Sequence, residues 1–170
     1  MTDLRIIGES VELRPLERAD EPWLLALLAH PDVARWWGTY DPARLQRDFF
    51  DDDEVVGFAI EAEGMMVGFI QYSEESEPDY RHASIDVSID GDLLGRGYGS
   101  DAVRALARYL IDSCGHHRIT IDPAAANARA IRAYEKVGFK PVGVMRAYER
   151  GPDRTWHDGL LMDLLAADLR

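Results

Sequence analysis

Over residues 11–16 apolar and polar side chains alternate, the period of a strand with one buried face. Ala19-Asp20-Glu21-Pro22 then carries the marks of a helix start, with Asp20 able to cap and an acid and a proline in the first turn; this helix runs to about Ala29. Residues 32–37 predict a short second helix and residues 42–50 a third, followed by the acidic run Asp51-Asp52-Asp53-Glu54 as a solvated break. The period then changes. Residues 56–62 and 65–72 read as strands joined by Glu63-Gly64, a turn short enough for an antiparallel hairpin. A polar loop follows over residues 73–80, and residues 82–89 alternate again as a central strand.

Gly95-Arg96-Gly97-Tyr98-Gly99 comes next, and residues 100–113 place Ala102, Val103, Leu106, Ala107, Leu110 and Ile111 on one helical face. Residues 117–121 predict a strand, 127–137 a helix stopped by Gly138, and 139–145 and 156–165 the last two strands. The order is strand, helices, antiparallel meander, strand-loop-helix-strand, helix and strand pair, which predicts a mixed α/β fold on one sheet.

Three glycines at alternate positions between a strand and a helix can turn several backbone N–H groups toward one point, where the helix dipole adds positive potential. That predicts a phosphate site, with Arg96 as an additional cation. A dinucleotide loop would need glycine at position 100, which is Ser, and no Gly-Lys-Ser or Gly-Lys-Thr follows as in a nucleoside triphosphate loop. A tight turn without a ligand is the other reading of the glycines alone.

With 170 residues, 46% of them hydrophobic, and no linker or repeat, the chain is expected to be one domain over residues 1–170. Cys114 is the only cysteine, so no intrachain disulfide forms. The N-terminal segment lacks the apolar stretch of a secretion signal, and no stretch of ~20 apolar residues follows; a soluble cytoplasmic protein is expected. Nineteen Lys and Arg against 31 Asp and Glu give a net charge of −12, which disfavours nucleic acid and anionic membranes as partners and favours a cationic one. Acidity also serves solubility alone. Cys114, His116 and His117 lack further ligands at suitable spacing, so no metal is expected.

The segments LLGRGYGSDAVRALARYL and RITIDPAAANARAIRAYEKVGFKPVG resemble the core of the GNAT superfamily of N-acetyltransferases, most densely between Ile85 and Gly143. RWWG at residues 35–38, SIDVSI around Asp86, ITIDP around Asp122 and HDGLLMDL near the C-terminus resemble the aminoglycoside 6'-N-acetyltransferases; siderophore-side-chain and peptide N-terminal acetyltransferases share the layout. The resemblance implies a mostly antiparallel sheet with a central parallel pair, flanked by helices, and acetyl-CoA as co-substrate. It assigns the pyrophosphate to Leu94, Gly95, Arg96, Gly97, Tyr98, Gly99 and Ser100, and the pantetheine arm to the strand at Val87, Ser88 and Ile89, with Asn127 and Ala130 from the following helix. Leu94 departs from the Gln or Arg usual there.

For the chemistry, the resemblance makes Asp86 the base that takes a proton from the amine and Tyr134 the acid that protonates the departing thiolate. A backbone N–H near Val87 or Ser88 would meet the oxyanion. On periodicity alone Asp86 is equally an exposed strand aspartate, and Tyr134 a packing tyrosine. Asp122 ends a strand, where ligand sites form in α/β folds, and by resemblance grips a second substrate amine. Trp36 and Trp37 would cover the acceptor, one of them being core, and Glu74, Glu75, Glu77 and Asp79 form an acidic loop that could rim it. Asn127 is also a sound N-cap. The implied partner is a cationic small-molecule amine, most like the 6'-amine of an aminoglycoside; a polyamine, a siderophore precursor, a peptide N-terminus, or a non-catalytic acetyl-CoA-binding module are the other readings. The oligomer is left as monomer or homodimer.

Overall fold

The structure is a computed structural model and describes residues 4–170. Its elements run β1 (Ile6–Ile7), β2 (Glu12–Pro15), α1 (Glu21–Ala29), α2 (Pro31–Trp37), α3 (Pro42–Phe49), β3 (Val55–Ala62), β4 (Met65–Glu75), β5 (His82–Ile89), α4 (Tyr98–Asp112), β6 (Arg118–Ile121), α5 (Ala128–Val137), β7 (Lys140–Arg150) and β8 (Trp156–Leu165). The strands form one sheet in the order β1-β2-β3-β4-β5-β6-β8-β7. Every neighbouring pair is antiparallel except β5 and β6, the expected central parallel pair.

Strand parity decides which face each side chain joins. On β5 the odd residues Ala83, Ile85 and Ile89 enter the larger core against α4 and α5, where Val103, Leu106, Leu110, Tyr134 and Val137 lie. On the other face Phe69 of β4 meets Leu24, Leu27, Leu28, Val33, Leu45 and Phe49 of α1, α2 and α3. Phe69 pairs with Ser88, and Gln71 with Asp86. Asp86 therefore opens onto the side capped by the three N-terminal helices.

Helix ends follow local chemistry. Asn127 caps α5 through Oδ1, which accepts from the Ala130 amide at 3.2 Å, and Gly138 ends that helix at φ 118°. α4 starts two residues before the position expected from the apolar spacing, because Gly97 at φ 87° serves as its N-cap and Tyr98 and Gly99 join the first turn. Asp20 holds the N-cap position of α1, but its carboxylate instead accepts from the Arg14 guanidinium at 2.8 and 2.9 Å and from the Glu17 amide.

Asp101 on α4 is buried and fastens the turn before β2, accepting from the amides of Glu9, Ser10 and Val11 and from Ser10 Oγ. Those hydrogen bonds hold its carboxyl below the usual range, although burial alone would raise it. Asp101→Ala leaves three backbone donors without their acceptor and is expected to cost ~3 kcal/mol, measured as a lower denaturant midpoint. A depressed carboxyl stabilises the fold above its unfolded pKa and loses that effect as pH falls through the folded value. The deficit is accordingly full at pH 7 and shrinks in acid.

No helix among the described residues is long and apolar enough to cross a membrane.

Candidate active site

The register between β4 and β5 is unbroken from Gly68 with Ile89 to Glu75 with His82, and the Asp90 amide continues it by donating to Val67. In an antiparallel ladder the hydrogen-bonding direction alternates. Residues 84, 86 and 88 thus spend their backbone groups on β4, while Ile85, Val87 and Ile89 turn theirs toward β6. That neighbour meets β5 only at Ala83 and Ser84. Beyond this point the two strands diverge and leave a run of outward-facing N–H and C=O groups on β5.

A groove of about 520 Å³ opens at the divergence, lined by Val87, Ser88 and Ile89 on one side and by Ala126, Asn127, Ala130 and Tyr134 on the other, with the glycine loop from Leu94 to Ser100 at its end. Gly95 and Gly97 have φ of 79° and 87°, and a Cβ at either would meet nothing within 4 Å, so conformation and not crowding demands glycine there. The first-turn amides of α4 face the groove with the positive end of its dipole. Arg35, Arg96, Arg129, Arg132 and Lys136 add cations around it. The groove suits a long, phosphate-bearing ligand laid along a strand edge.

An acidic cleft lies further along β5, with Asp86, Asp122, Tyr148 and Glu149 among its lining residues. The walls around Asp86 push its carboxyl up to about 6; the Asp122 charge pushes the same way, the Gln71 amide donating to it at 3.4 Å pulls back, and Glu149 adds a smaller upward push. Asp122 and Glu149 are raised as well, each first by desolvation. Tyr134 is buried where β5 and α5 face each other across the groove, and its hydroxyl is held above the ordinary phenol range by burial and then by the charges of Asp86 and Asp122. Three carboxylates in one cleft with a protonated phenol beside them are an arrangement suited to acid–base chemistry.

Several expected site residues lie elsewhere. Sequence reasoning puts Glu74 in the acidic loop, but β4 continues to Glu75, and parity turns Glu74 to the opposite face, where it pairs with buried His116. Glu77 and Asp79 are exposed in the following turn, away from the cleft. Trp36 and Trp37 line the cofactor-like groove and not the acidic cleft. Trp37 is the core member of the pair, set edge-on against Phe69 at 4.9 Å, while Trp36 lies under the Arg35 guanidinium. Tyr148 and Glu149 escape sequence reasoning because the polar run after Met145 reads as the end of a strand.

Among the described residues, the one grouping with metal-like spacing is His30, Asp90 and Asp92. Nδ1 of His30 accepts from the Asp32 amide at 3.2 Å, which leaves the ring proton on Nε2, directed at Asp92. A protonated nitrogen is a donor and not a ligand.

Residues 10–140 match the acetyltransferase (GNAT) domain family model. The chain is 29% identical over 158 residues to the aminoglycoside N(6')-acetyltransferase type 1 of Klebsiella pneumoniae, covering 81% of this chain and 78% of that one. It is 26% identical over 142 residues to the spermidine N(1)-acetyltransferase of Escherichia coli K12, covering 80% and 76%. Among solved structures, AAC(6')-Ib in complex with paromomycin and acetyl-CoA superposes with a TM-score of 0.79 at 27% identity, over 94% of this chain and 96% of the other.

Proposed function

Since the chain belongs to the GNAT acetyltransferase family, with acetyl-CoA as its acyl donor and an amine as acceptor, we propose that its acceptor is a small polycation of aminoglycoside type, acetylated at the 6'-amine. The observation that carries this reading is the convergence of Asp86, Asp122 and Glu149 in one cleft beside the donor groove. Three carboxylates facing a shared volume favour a ligand with several ammonium groups over one with a single amine. The relatives that act on aminoglycosides and on spermidine, both polyamines, support the same class.

The donor fits the groove's residues. Left-handed Gly95 and Gly97 and the α4 amides suit a pyrophosphate, the cations around them suit its charge, and the free backbone edge of β5 suits the amide-bearing arm. Asn127 spends its carbonyl oxygen on capping α5 and keeps its amide N–H₂ as a donor for that arm.

An alkylamine has a pKa of about 10.4 and must lose a proton to react. That proton leaves before attack, because an ammonium nitrogen has no lone pair; as the free amine then bonds to the acetyl carbon its remaining N–H protons become far more acidic, and Asp86, poised near 6, accepts one of them. The Val87 N–H, facing away from β4, is the oxyanion donor in this reading; Ser88, whose N–H is committed to β4, is not. Tyr134, held protonated, gives its proton to the departing thiolate. The sum, from the protonated amine, is one amide formed, one thioester broken, one thiol released and one proton given to solvent.

Release of CoA thiol should be followed with acetyl-CoA and kanamycin, with spermidine and an N-terminal peptide alongside. Turnover on kanamycin well above the other two is the expected result. Faster turnover on spermidine would move the acceptor to linear polyamines, and turnover on the peptide alone would overturn the polycation reading.

A further inference from the structure

The acidic cleft owes its shape to an irregularity in β7. Met145 pairs with Gly159 and Glu149 with His157, so four steps on β7 oppose two on β8 and two residues are extruded. Bulges of this kind re-aim side chains. Ala147 within it takes a left-handed φ of 50°, unusual for a residue with a side chain. Tyr148 and Glu149 follow directly and both line the cleft.

Two residues of β8 hold this conformation. Asp158 Oδ1 accepts from the Ala147 amide at 2.8 Å, at the left-handed residue itself. Gly159 is the floor on which the Tyr148 ring rests: a Cβ there would stand 2.9 Å from Tyr148 Cδ1. These two residues and the next, Leu160, grip the segment after Asp122. The Asp158 carbonyl accepts from the Ala125 amide at 2.8 Å, Gly159 bridges Ala124, and the Leu160 amide donates to Pro123 at 2.9 Å.

We propose that Asp158 and Gly159 are positioning residues that set Tyr148 and Glu149 against Asp122, and that this clamp fixes where the acceptor's second ammonium group is held. The contacts the variants alter, Asp158 Oδ1 with the Ala147 amide and the Gly159 face with the Tyr148 ring, touch neither the lining of the donor groove nor Tyr134, so their loss acts on acceptor affinity and leaves donor binding alone. That the group held is an ammonium rests on the polycation reading above; the geometry of the clamp does not.

Three variants test it. Asp158→Ala removes the acceptor of the Ala147 amide and is expected to raise KM for the acetylated amine by about tenfold or more, a loss on the scale of one charge-assisted contact, with KM for acetyl-CoA within about twofold of the wild type. Asp158→Asn keeps an oxygen at the same place and is expected to restore the wild-type KM. Gly159→Ala is expected to raise KM by displacing the Tyr148 ring, and to add little in a Tyr148→Ala background, where nothing remains to displace. An Asp158→Asn enzyme as impaired as Asp158→Ala, or equal rises in both KM values, would overturn the proposal in favour of a merely structural role. If the wild type acetylates none of the amines tested, the polycation reading fails, and the clamp is tested by 3-fluorotyrosine NMR instead. The Tyr148 resonance, assigned by its loss in Tyr148→Phe, should shift in Asp158→Ala and stay in place in Asp158→Asn; an unmoved resonance in both would refute the clamp.

Discussion

Replacing Asp86 with Asn is expected to lower turnover of the accepted amine by ~100-fold or more while leaving acetyl-CoA affinity nearly unchanged, the scale for losing a general base. The substitution keeps the size of the side chain and its position opposite Gln71. It removes only the ability to take up a proton. The wild-type kcat/KM should rise with pH through about 6, where Asp86 ionises, and the variant should lack that limb. Stability should respond in the opposite sense. A carboxyl whose folded pKa is raised costs the fold stability once the pH exceeds the unfolded value, so Asp86→Asn should melt higher than wild type at pH 8 and show no gain at pH 4. Full turnover in the Asp86→Asn enzyme would remove Asp86 from the mechanism.

Tyr134→Phe is expected to reduce kcat by a similar ~100-fold, through loss of the proton delivered to the leaving thiolate. The ring is packed with its centroid 6.2 Å from that of Phe139, and Phe preserves that packing, so the melting temperature should hold. Acetyl-CoA affinity, measured by calorimetry without acceptor, should stay within a few-fold of wild type. The deficit should appear in single-turnover experiments as well as in the steady state; a deficit confined to the steady state would mean that the tyrosine assists product release and not thiolate protonation.

Local pattern places Asp86 on a strand, Tyr134 and Asn127 on a helix and at its start, and the glycine loop between strand and helix, whereas the roles expected of them come from the family resemblance alone. Strand alternation and helical spacing also locate the strands and helices to within a few residues, apart from the two-residue β1, too short to carry a period. Errors arise where long-range pairing overrides local polarity. Ser73-Glu74-Glu75 looks like loop, yet β5 pairs with it throughout, and one step of parity sends Glu74 to the far face. The strand read over 139–145 stops short of residues 146–150, yet β8 pairs beyond the bulge and brings Tyr148 and Glu149 into the cleft. Counting parity onward from Phe69 and Ile70 would find the first; the second depends on a bulge that no local pattern announces.

The divergence of β5 from β6 has a consequence for the lifetime of the molecule. With the donor placed as proposed, its amide-bearing arm would complete the strand edge that β6 leaves open, and the ligand would serve as part of the sheet. Any ligand that binds only the folded chain adds to its stability, about 2.7 kcal/mol when present at 100 times its Kd. Resistance to unfolding and proteolysis is therefore expected to track the supply of acetyl-CoA, higher while the donor is plentiful and lower as it runs short.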